Sequence, residues 1–322
     1  MDYLQGRLVR EGLDVKRLGN NIWVESEPQG DRPTILLNAH IDTVRPAASY
    51  TRNPFEPVRE GDVLYGLGSN DDGGSLVALL QAYRTLTARP QPYRLIYSAT
   101  AEEEVSGKDG IEAILPLLGR IDLGIIGEPT GMRMAVAEKG LMVLDCMAEG
   151  VSGHAAREEG VNAIYKALED IEWFRNYRFA KVSPHCGAVK MSVTMISAGT
   201  QHNVVPDSCT FVVDVRGNGM YSNLEILDTI LANVSCKCVP RSTRHNGAFI
   251  PEDHPVVLRG ASLGLESFGS PTTSNQSVCP FTTMKIGPGE SSRSHTADEY
   301  IRISEIEQGA ATYVALLDNL QL

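Results

Sequence analysis

The chain has 322 residues, with 40 acidic against 29 basic side chains and a formal net charge of -11. That length fits two domains, or one large domain with an insertion, whose cores need no disulfide staples. The acidic balance argues against a nucleic-acid or anionic-membrane surface, where a basic stripe is expected, and favours small-molecule partners.

The start, MDYLQGRLVREG, reads as the second half of an amphipathic helix with Leu4, Leu8 and Val9 on its apolar stripe, broken at Gly12. It lacks a signal-peptide core, and no apolar run approaches the roughly 20 residues that span a bilayer, so a cytoplasmic location is expected. Between about residues 22 and 128, short apolar runs alternate with helical patterns: NIWVE and TILLNA as strands, SLVALLQAYRTL as a helix, RLIYSAT as a strand, IEAILPLL as a helix, then LGIIG. Such alternation predicts an α/β fold with a parallel or mixed sheet flanked by helices.

From about 135 to 247 the pattern becomes strand (LMVLDCMAEG), helix (GVNAIYKALEDIEWF), two strands (VKMSVTMIS, CTFVVDVR), helix (NLEILDTILANV) and strand (CKCVP). This describes an α+β unit able to fold as an insertion and to act as a lid or dimer module. Beyond it, PVVLRGASL reads as a helix and FTTMKIG as a strand. SEIEQGAATYVALLDNL reads as a closing helix opened by Ser304 with Glu307 in a capping box. The expected organisation is a discontinuous first domain, 1–134 with 248–322, interrupted by a second, 135–247. The six cysteines are scattered, and only Cys236 and Cys238 lie close, without the spacing of a zinc ribbon or redox pair. Reduced thiols are expected.

Ligands of open α/β sheets gather at the carboxyl ends of strands, and that is where the polar residues of interest fall. His40 and Asp42 close the TILLNA strand, where alternation points them to one side, and a metal-bound imidazole commonly leans on a carboxylate. Alone, such a histidine reads as structural. Asp71 lies in the run GLGSNDDGG ahead of a helix, where glycines allow a tight path and an aspartate can bridge two cations. An ordinary strand-to-helix turn reads equally well, whereas a phosphate loop lacks its Gly-Lys-Ser/Thr ending. Glu102, Glu103 and Glu104 follow a buried strand, and their mutual repulsion calls for a cation or a shared proton. Glu103 and Glu104 can divide proton transfer and metal binding. Glu128 follows LGIIG, and His295 precedes the last helix. Together His40, Asp71, Glu104, Glu128 and His295 form a ligand set without thiolate, suited to a pair of catalytic zinc-like ions.

The blocks NAHIDTV, YGLGSNDDGG, TAEEEVSG, IIGEPT, GVSGHA, GTQHNVVPD with DVR, and SHTADEYI fall in the order of the M20 metallopeptidase family. The chain thus resembles the acetylornithine deacetylase and succinyl-diaminopimelate desuccinylase group over nearly its whole length. The resemblance implies a zinc-peptidase-like three-layer α/β catalytic domain with an inserted ferredoxin-like lid used for homodimerisation. It also implies two divalent metal ions, zinc or else cobalt. His40, Asp71 and Glu128 are implied as ligands of one or both, Glu104 and His295 as ligands of the other ion, with Asp71 bridging. Asp42 is implied to orient His40, and Glu103 to be the general base. His154 is implied to reach the partner subunit's active site and help hold the oxyanion, and Asn203 and Arg216, thirteen positions apart, to contact a substrate carboxylate.

The implied activity is deacylation of N-acetylornithine, or of N-acetyl- or N-succinyl-citrulline or -ornithine, in arginine biosynthesis. Desuccinylation of succinyl-diaminopimelate, peptidase action on di- or tripeptides, and a catalytically inactive amino-acid-binding role are the alternatives. Thr273-Ser274-Asn275-Gln276-Ser277 lacks the aspartate and arginine of the desuccinylases, which disfavours a diaminopimelate substrate. Family members carry roughly one helix more before MDYLQG, so the chain is expected to be shortened there.

Overall fold

The structure is a computed structural model that describes residues 1–27, 30–157 and 159–322. Helix α1 (Asp2–Arg10) leads to strands β1 (Lys16–Leu18), β2 (Asn21–Glu25), β3 (Thr34–His40), β4 (Val58–Glu60) and β5 (Val63–Tyr65). An irregular turn over Ser69–Gly73 opens α2 (Gly74–Thr87), followed by β6 (Arg94–Thr100), α3 (Ile111–Leu118), β7 (Leu123–Ile126) and β8 (Met134–Glu138). Next come β9 (Met142–Glu149), β10 (Gly153–His154), α4 (Ala163–Asn176), β11 (Lys190–Ala198), β12 (Val204–Val205), β13 (Ser208–Arg216), α5 (Asn223–Leu231), β14 (Lys237–Pro240) and β15 (Ala248–Phe249). The chain closes with α6 (Pro255–Ser262), β16 (Ser267–Ser270), β17 (Thr283–Lys285), β18 (Tyr300–Arg302) and α7 (Ile303–Leu317).

Two compact units emerge: Met1–Val136 with Ile250–Phe268 and Ser274–Leu322, and Ala137–Phe249 with Gly269–Thr273. In the first, a mixed sheet runs in the order β1-β2-β6-β3-β7-β17-β8. Its centre is parallel, with His40 opposite Thr100, Asn38 opposite Ile126 and Lys285 opposite Ile126. β3 is buried along its whole length because both of its faces are covered. Ile35, Leu37 and Ala39 pack into a core shared with Leu79 and Leu86 of α2 and Tyr313 and Leu316 of α7. Leu36 faces the other way, into a smaller cluster with Ile111, Ile114 and Leu118 of α3. Because the four central strands run parallel, their carboxyl ends share one edge, and the residues that follow them are delivered there together.

The second unit is an antiparallel sheet in the order β11-β13-β9-β14. β9 alternates between inward and outward residues, the signature of a sheet with one covered face. Met142, Leu144, Cys146 and Ala148 pack with Phe211 and Val213 against Ala167 and Phe174 of α4 and Ile226 and Ile230 of α5. Among the described residues, no helix is long and apolar enough to cross a membrane.

Two details differ from the sequence reading. Val9 is 54% exposed whereas Leu8 is fully buried, so the stripe of α1 runs through Leu4 and Leu8 only. Helix α7 begins at Ile303, with Arg302 in the cap position and Glu305, not Glu307, reaching back to the Arg302 amide at 2.9 Å. The reason is tertiary. β18 runs directly into the helix, and the Asp62 carboxylate, from the β4–β5 turn, accepts from the Ser304 amide at 3.0 Å and from its hydroxyl at 2.6 Å. A carboxylate from elsewhere in the chain thus does what a local serine cap does.

Candidate metal centre

The carboxyl edge of the first unit's sheet collects seven of the ten residues singled out above. His40 ends β3 and is buried. Its Nδ1 donates to the Asp42 backbone carbonyl at 2.9 Å, which directs Nε2 toward Asp71 Oδ1, 3.1 Å away. The second Asp71 oxygen faces another imidazole, with Oδ2 at 3.6 Å from His295 Nε2. His295 Nε2 also lies 3.0 Å from Glu104 Oε1. One donor atom from each of His40, Asp71 and Glu104 fall within 4.8 Å of one another, and so do those of His40, Glu103 and Glu128. Two three-donor groups therefore share His40, and Asp71 presents one oxygen to each histidine.

Asp42 meets His40 through both its backbone carbonyl and its carboxylate, and its carboxylate has a second task. Its carboxylate is 3.6 Å from His40 Nδ1, and its two oxygens accept from the backbone amides of Glu103 at 3.2 Å and Glu104 at 3.1 Å. The backbone of Asp42 orients the imidazole, and its side chain holds the acidic segment after β6 in place. Glu102 takes a positive φ of 64° and accepts from the Asp109 amide at 3.0 Å, apart from the cluster.

So many carboxylates in one buried place perturb one another. Burial, with Glu104, Asp71 and Asp42 adding repulsion and His40 opposing it, pushes Glu103 up to about 7. Burial and the charges of Glu103 and Asp71 hold Glu128 well above its ordinary value, against the pull of the Lys285 ammonium. Asp72, wholly buried, is pushed up to about 8, mainly by burial. One of its oxygens, Oδ2, lies 3.3 Å from the His40 amide, while Oδ1 is buried without a hydrogen-bond partner. For His40, burial works downward, but hydrogen bonds to Asp42 and Asp71 and the charges of Asp72 and Glu128 prevail and hold it well above the usual histidine value. A carboxylate cluster that retains protons, around imidazole donors and with no thiolate, fits divalent cations of the zinc class.

Three contributors carry little local signal in the sequence. Glu299, before β18, is buried and accepts from the backbone amides of Gly68 at 2.9 Å, Asn70 at 2.9 Å and Asp71 at 2.8 Å. Asp72 and Lys285 lie within the GLGSNDDGG run and the FTTMKIG strand, where each reads as an ordinary turn or strand residue. A charged lysine on a fully buried strand is the one cue that was available.

His154, Asn203 and Arg216 lie in the second unit. His154 and Asn203 are neighbours: His154 pairs with Val204, the Ala155 amide donates to the Asn203 carbonyl at 3.1 Å, and both residues are exposed. Arg216 makes a two-pronged contact with Asp214, with Nε at 2.8 Å and Nη2 at 3.0 Å from its carboxylate oxygens.

The chain belongs to peptidase family M20/M25/M40, whose model matches residues 36–319. It is an α/β metallohydrolase, and its family implies a dinuclear metal centre. Among curated proteins it is similar to an acetylornithine deacetylase of Klebsiella pneumoniae (strain 342), 30% identical over 291 residues that cover 83% of this chain and 75% of that protein. The acetylornithine deacetylase of Pectobacterium atrosepticum is 29% identical over 289 residues, with the same 83% and 75% coverage. Among solved structures the fold is similar to aminopeptidase PepT from Bacillus cereus, with a TM-score of 0.73 at 19% identity, covering 99% of this chain and 91% of that one. It is also similar to the YXEP protein of Bacillus subtilis, described as a dinuclear metal binding peptidase of the M20 family, with a TM-score of 0.67 at 15% identity over 98% of this chain and 90% of that one.

Proposed function

We propose that this chain hydrolyses the amide bond of a small N-acyl amino acid, N-acetylornithine or a close relative such as N-acetylcitrulline, N-succinylcitrulline or N-succinylornithine. The observation that carries this reading is the convergence on Asp71 of His40, Glu104 and His295, with Glu103 and Glu128 grouped on His40. The similarity to acetylornithine deacetylases supports the choice of substrate. Residues 1–134 and 248–322 form the zinc-peptidase-like catalytic domain in this reading, and 135–247 the ferredoxin-like lid through which two chains pair.

His40, Asp71 and Glu128 would hold one divalent ion, zinc or else cobalt, and Glu104 and His295 the second, with Asp71 shared. When bound, such ions supply Lewis acidity that polarises a carbonyl and lowers the pKa of water. The chain's own groups do the rest. Glu103, poised near neutrality, removes a proton from the attacking water and returns it to the leaving amine nitrogen. Asp42, through the Glu103 and Glu104 amides, keeps that carboxylate in register. In the paired chains of this reading His154 reaches the partner subunit's active site and donates to the oxyanion there, and Arg216, whose planar fork matches a carboxylate, binds the amino-acid end of the substrate together with Asn203.

The test is a panel of acetyl- and succinyl-ornithine, -citrulline and -diaminopimelate, with di- and tripeptides beside them, on zinc-loaded protein. Acetylornithine or one of its named relatives is expected to turn over fastest. Cleavage of peptides alone makes the chain a peptidase, desuccinylation of diaminopimelate alone changes the substrate, and bound metal with no hydrolysis leaves an amino-acid-binding protein.

A further inference from the structure

The second unit contains a cluster of soft donors that the hydrolytic chemistry does not use. Cys146 on β9 stands directly across from Cys238 on β14, and their sulfurs are 3.1 Å apart. Cys236, just before β14, places its sulfur 3.4 Å from that of Cys238. All three are buried on the covered face of the sheet, in the core that includes Phe174, Phe211 and Ile230. The three sulfurs fall within 4.8 Å of one another.

Their proximity follows from the fold. Antiparallel pairing puts Cys146 and Cys238 on the same face at the same height, whereas Cys236, two residues earlier, would continue that face one step away. It is drawn in by Asp170 of α4, a buried carboxylate that accepts from the Ser235 amide at 2.8 Å and the Cys236 amide at 2.9 Å. Asp170 thereby fixes the turn that carries Cys236 into β14. Both neighbouring thiols hydrogen-bond to the Cys238 sulfur, which is held well below the usual thiol range by those two contacts.

We propose that Cys146, Cys236 and Cys238 form a three-thiolate site for a soft, thiophilic metal ion of the Cu(I) or Cd(II) class. Sulfurs about 2.3 Å from a common centre in a trigonal plane stand roughly 4.0 Å apart, so the two measured separations open by less than about an ångström for a copper-sized ion and by somewhat more for the larger cadmium ion. Thiolates without imidazole or water select soft ions, whereas the histidine and carboxylate set at Asp71 selects harder or borderline ones. Binding deprotonates the cysteines and releases their protons to solvent. Asp170, holding the Cys236 backbone, takes the outer role that keeps a ligand in place.

The experiment titrates the full-length reduced protein with Cd(II) and follows the ultraviolet thiolate-to-cadmium charge-transfer band, which carboxylate and imidazole ligands do not produce. The expected result is a band that saturates at one ion per chain, is lost in Cys238→Ser, and persists in Cys209→Ser, a buried cysteine of the same unit outside the cluster. In wild-type protein, which avoids any folding defect of the variants, Cd(II) should slow the alkylation of Cys146, Cys236 and Cys238 together, relative to metal-free protein in the same mild denaturant and without slowing that of Cys209, as read by peptide mass mapping. No band, a band unchanged in folded Cys238→Ser, or protection of other cysteines overturns the proposal. So does a Cys146–Cys238 disulfide that persists under the reducing conditions of the titration.

Discussion

The buried carboxylate of Glu299 holds the backbone of Asp71. Its Oε1 accepts from the Asp71 amide at 2.8 Å and the Asn70 amide at 2.9 Å, and its Oε2 from the Gly68 amide at 2.9 Å. One side chain from before the last strand thus fixes the loop, 228 positions earlier, from which Asp71 reaches both histidines. Amide bonds to a charged acceptor contribute roughly 1.5–3 kcal/mol each. Glu299→Gln turns one acceptor oxygen into a donor facing donors, and is expected to weaken binding of the divalent ions by about 10- to 100-fold, the range seen when outer-shell partners of metal ligands are changed. A competition titration with a chromophoric chelator reads that change, and unaltered affinity would remove Glu299 from the support of the site.

Glu103 is the proton carrier in the proposed reaction, in which His40, Asp71, Glu104, Glu128 and His295 hold the ions. Glu103→Gln preserves its shape and removes its basicity. Turnover should fall by at least the roughly 10²–10⁴-fold that general acid–base catalysis contributes, with two ions per chain retained by elemental analysis. Activity within tenfold of the unmodified protein would strip Glu103 of that role.

Ion-free protein should lose stability as pH rises. In the absence of cations the folded state holds Glu103 at about 7 and Asp72 at about 8, both above their values in an unfolded chain. Between the ordinary carboxylate range and those values the folded state binds more protons than the unfolded one, and the slope of stability with pH is negative. Chelator-treated protein is therefore expected to melt higher at about pH 5.5 than at about pH 8, and added zinc should raise the melting temperature more at the higher pH. Melting curves at both values, with and without metal, check this; an ion-free protein that gains stability from pH 5.5 to pH 8 contradicts it.

The first helix is anchored by one residue. Leu8 is fully buried in the main core, whereas its neighbour Val9 is 54% exposed. Leu8→Ala should destabilise the first unit by about 2–4 kcal/mol through lost burial and the cavity left behind, and Val9→Ser should stay within about 0.5 kcal/mol. Denaturant unfolding of both variants separates them, and equal effects would mean that α1 does not pack as described.

Much of this was readable in the order of residues. Seven-residue runs such as TILLNAH and RLIYSAT are too apolar for anything but strands buried on both faces, and the helical period of SLVALLQAYRTL is local. The placement of His40, Asp71, Glu103, Glu104, Glu128 and His295 at strand ends and turns is likewise visible, because His40, Glu103, Glu104 and Glu128 come where apolar runs stop, Asp71 lies in a glycine-rich turn and His295 stands ahead of the last helix. Helix α7 starts ahead of the Ser304 cap that the local pattern suggests, since the group that satisfies its first amides, Asp62, is 242 positions away. A local capping rule does not see it.

What the amino-acid order determined by itself was the set of elements and the kinds of donor at their ends, because periodicity and residue chemistry are properties of neighbours along the chain. Only the tertiary structure decided which groups meet: that Asp42 holds Glu103 and Glu104 by its carboxylate and His40 by its carbonyl, that Glu299 fixes Asp71, and that Cys146 meets the distant Cys236 and Cys238 in the second core. Strand order and register make those contacts, and they arise from packing between segments far apart in sequence, where spacing carries no information.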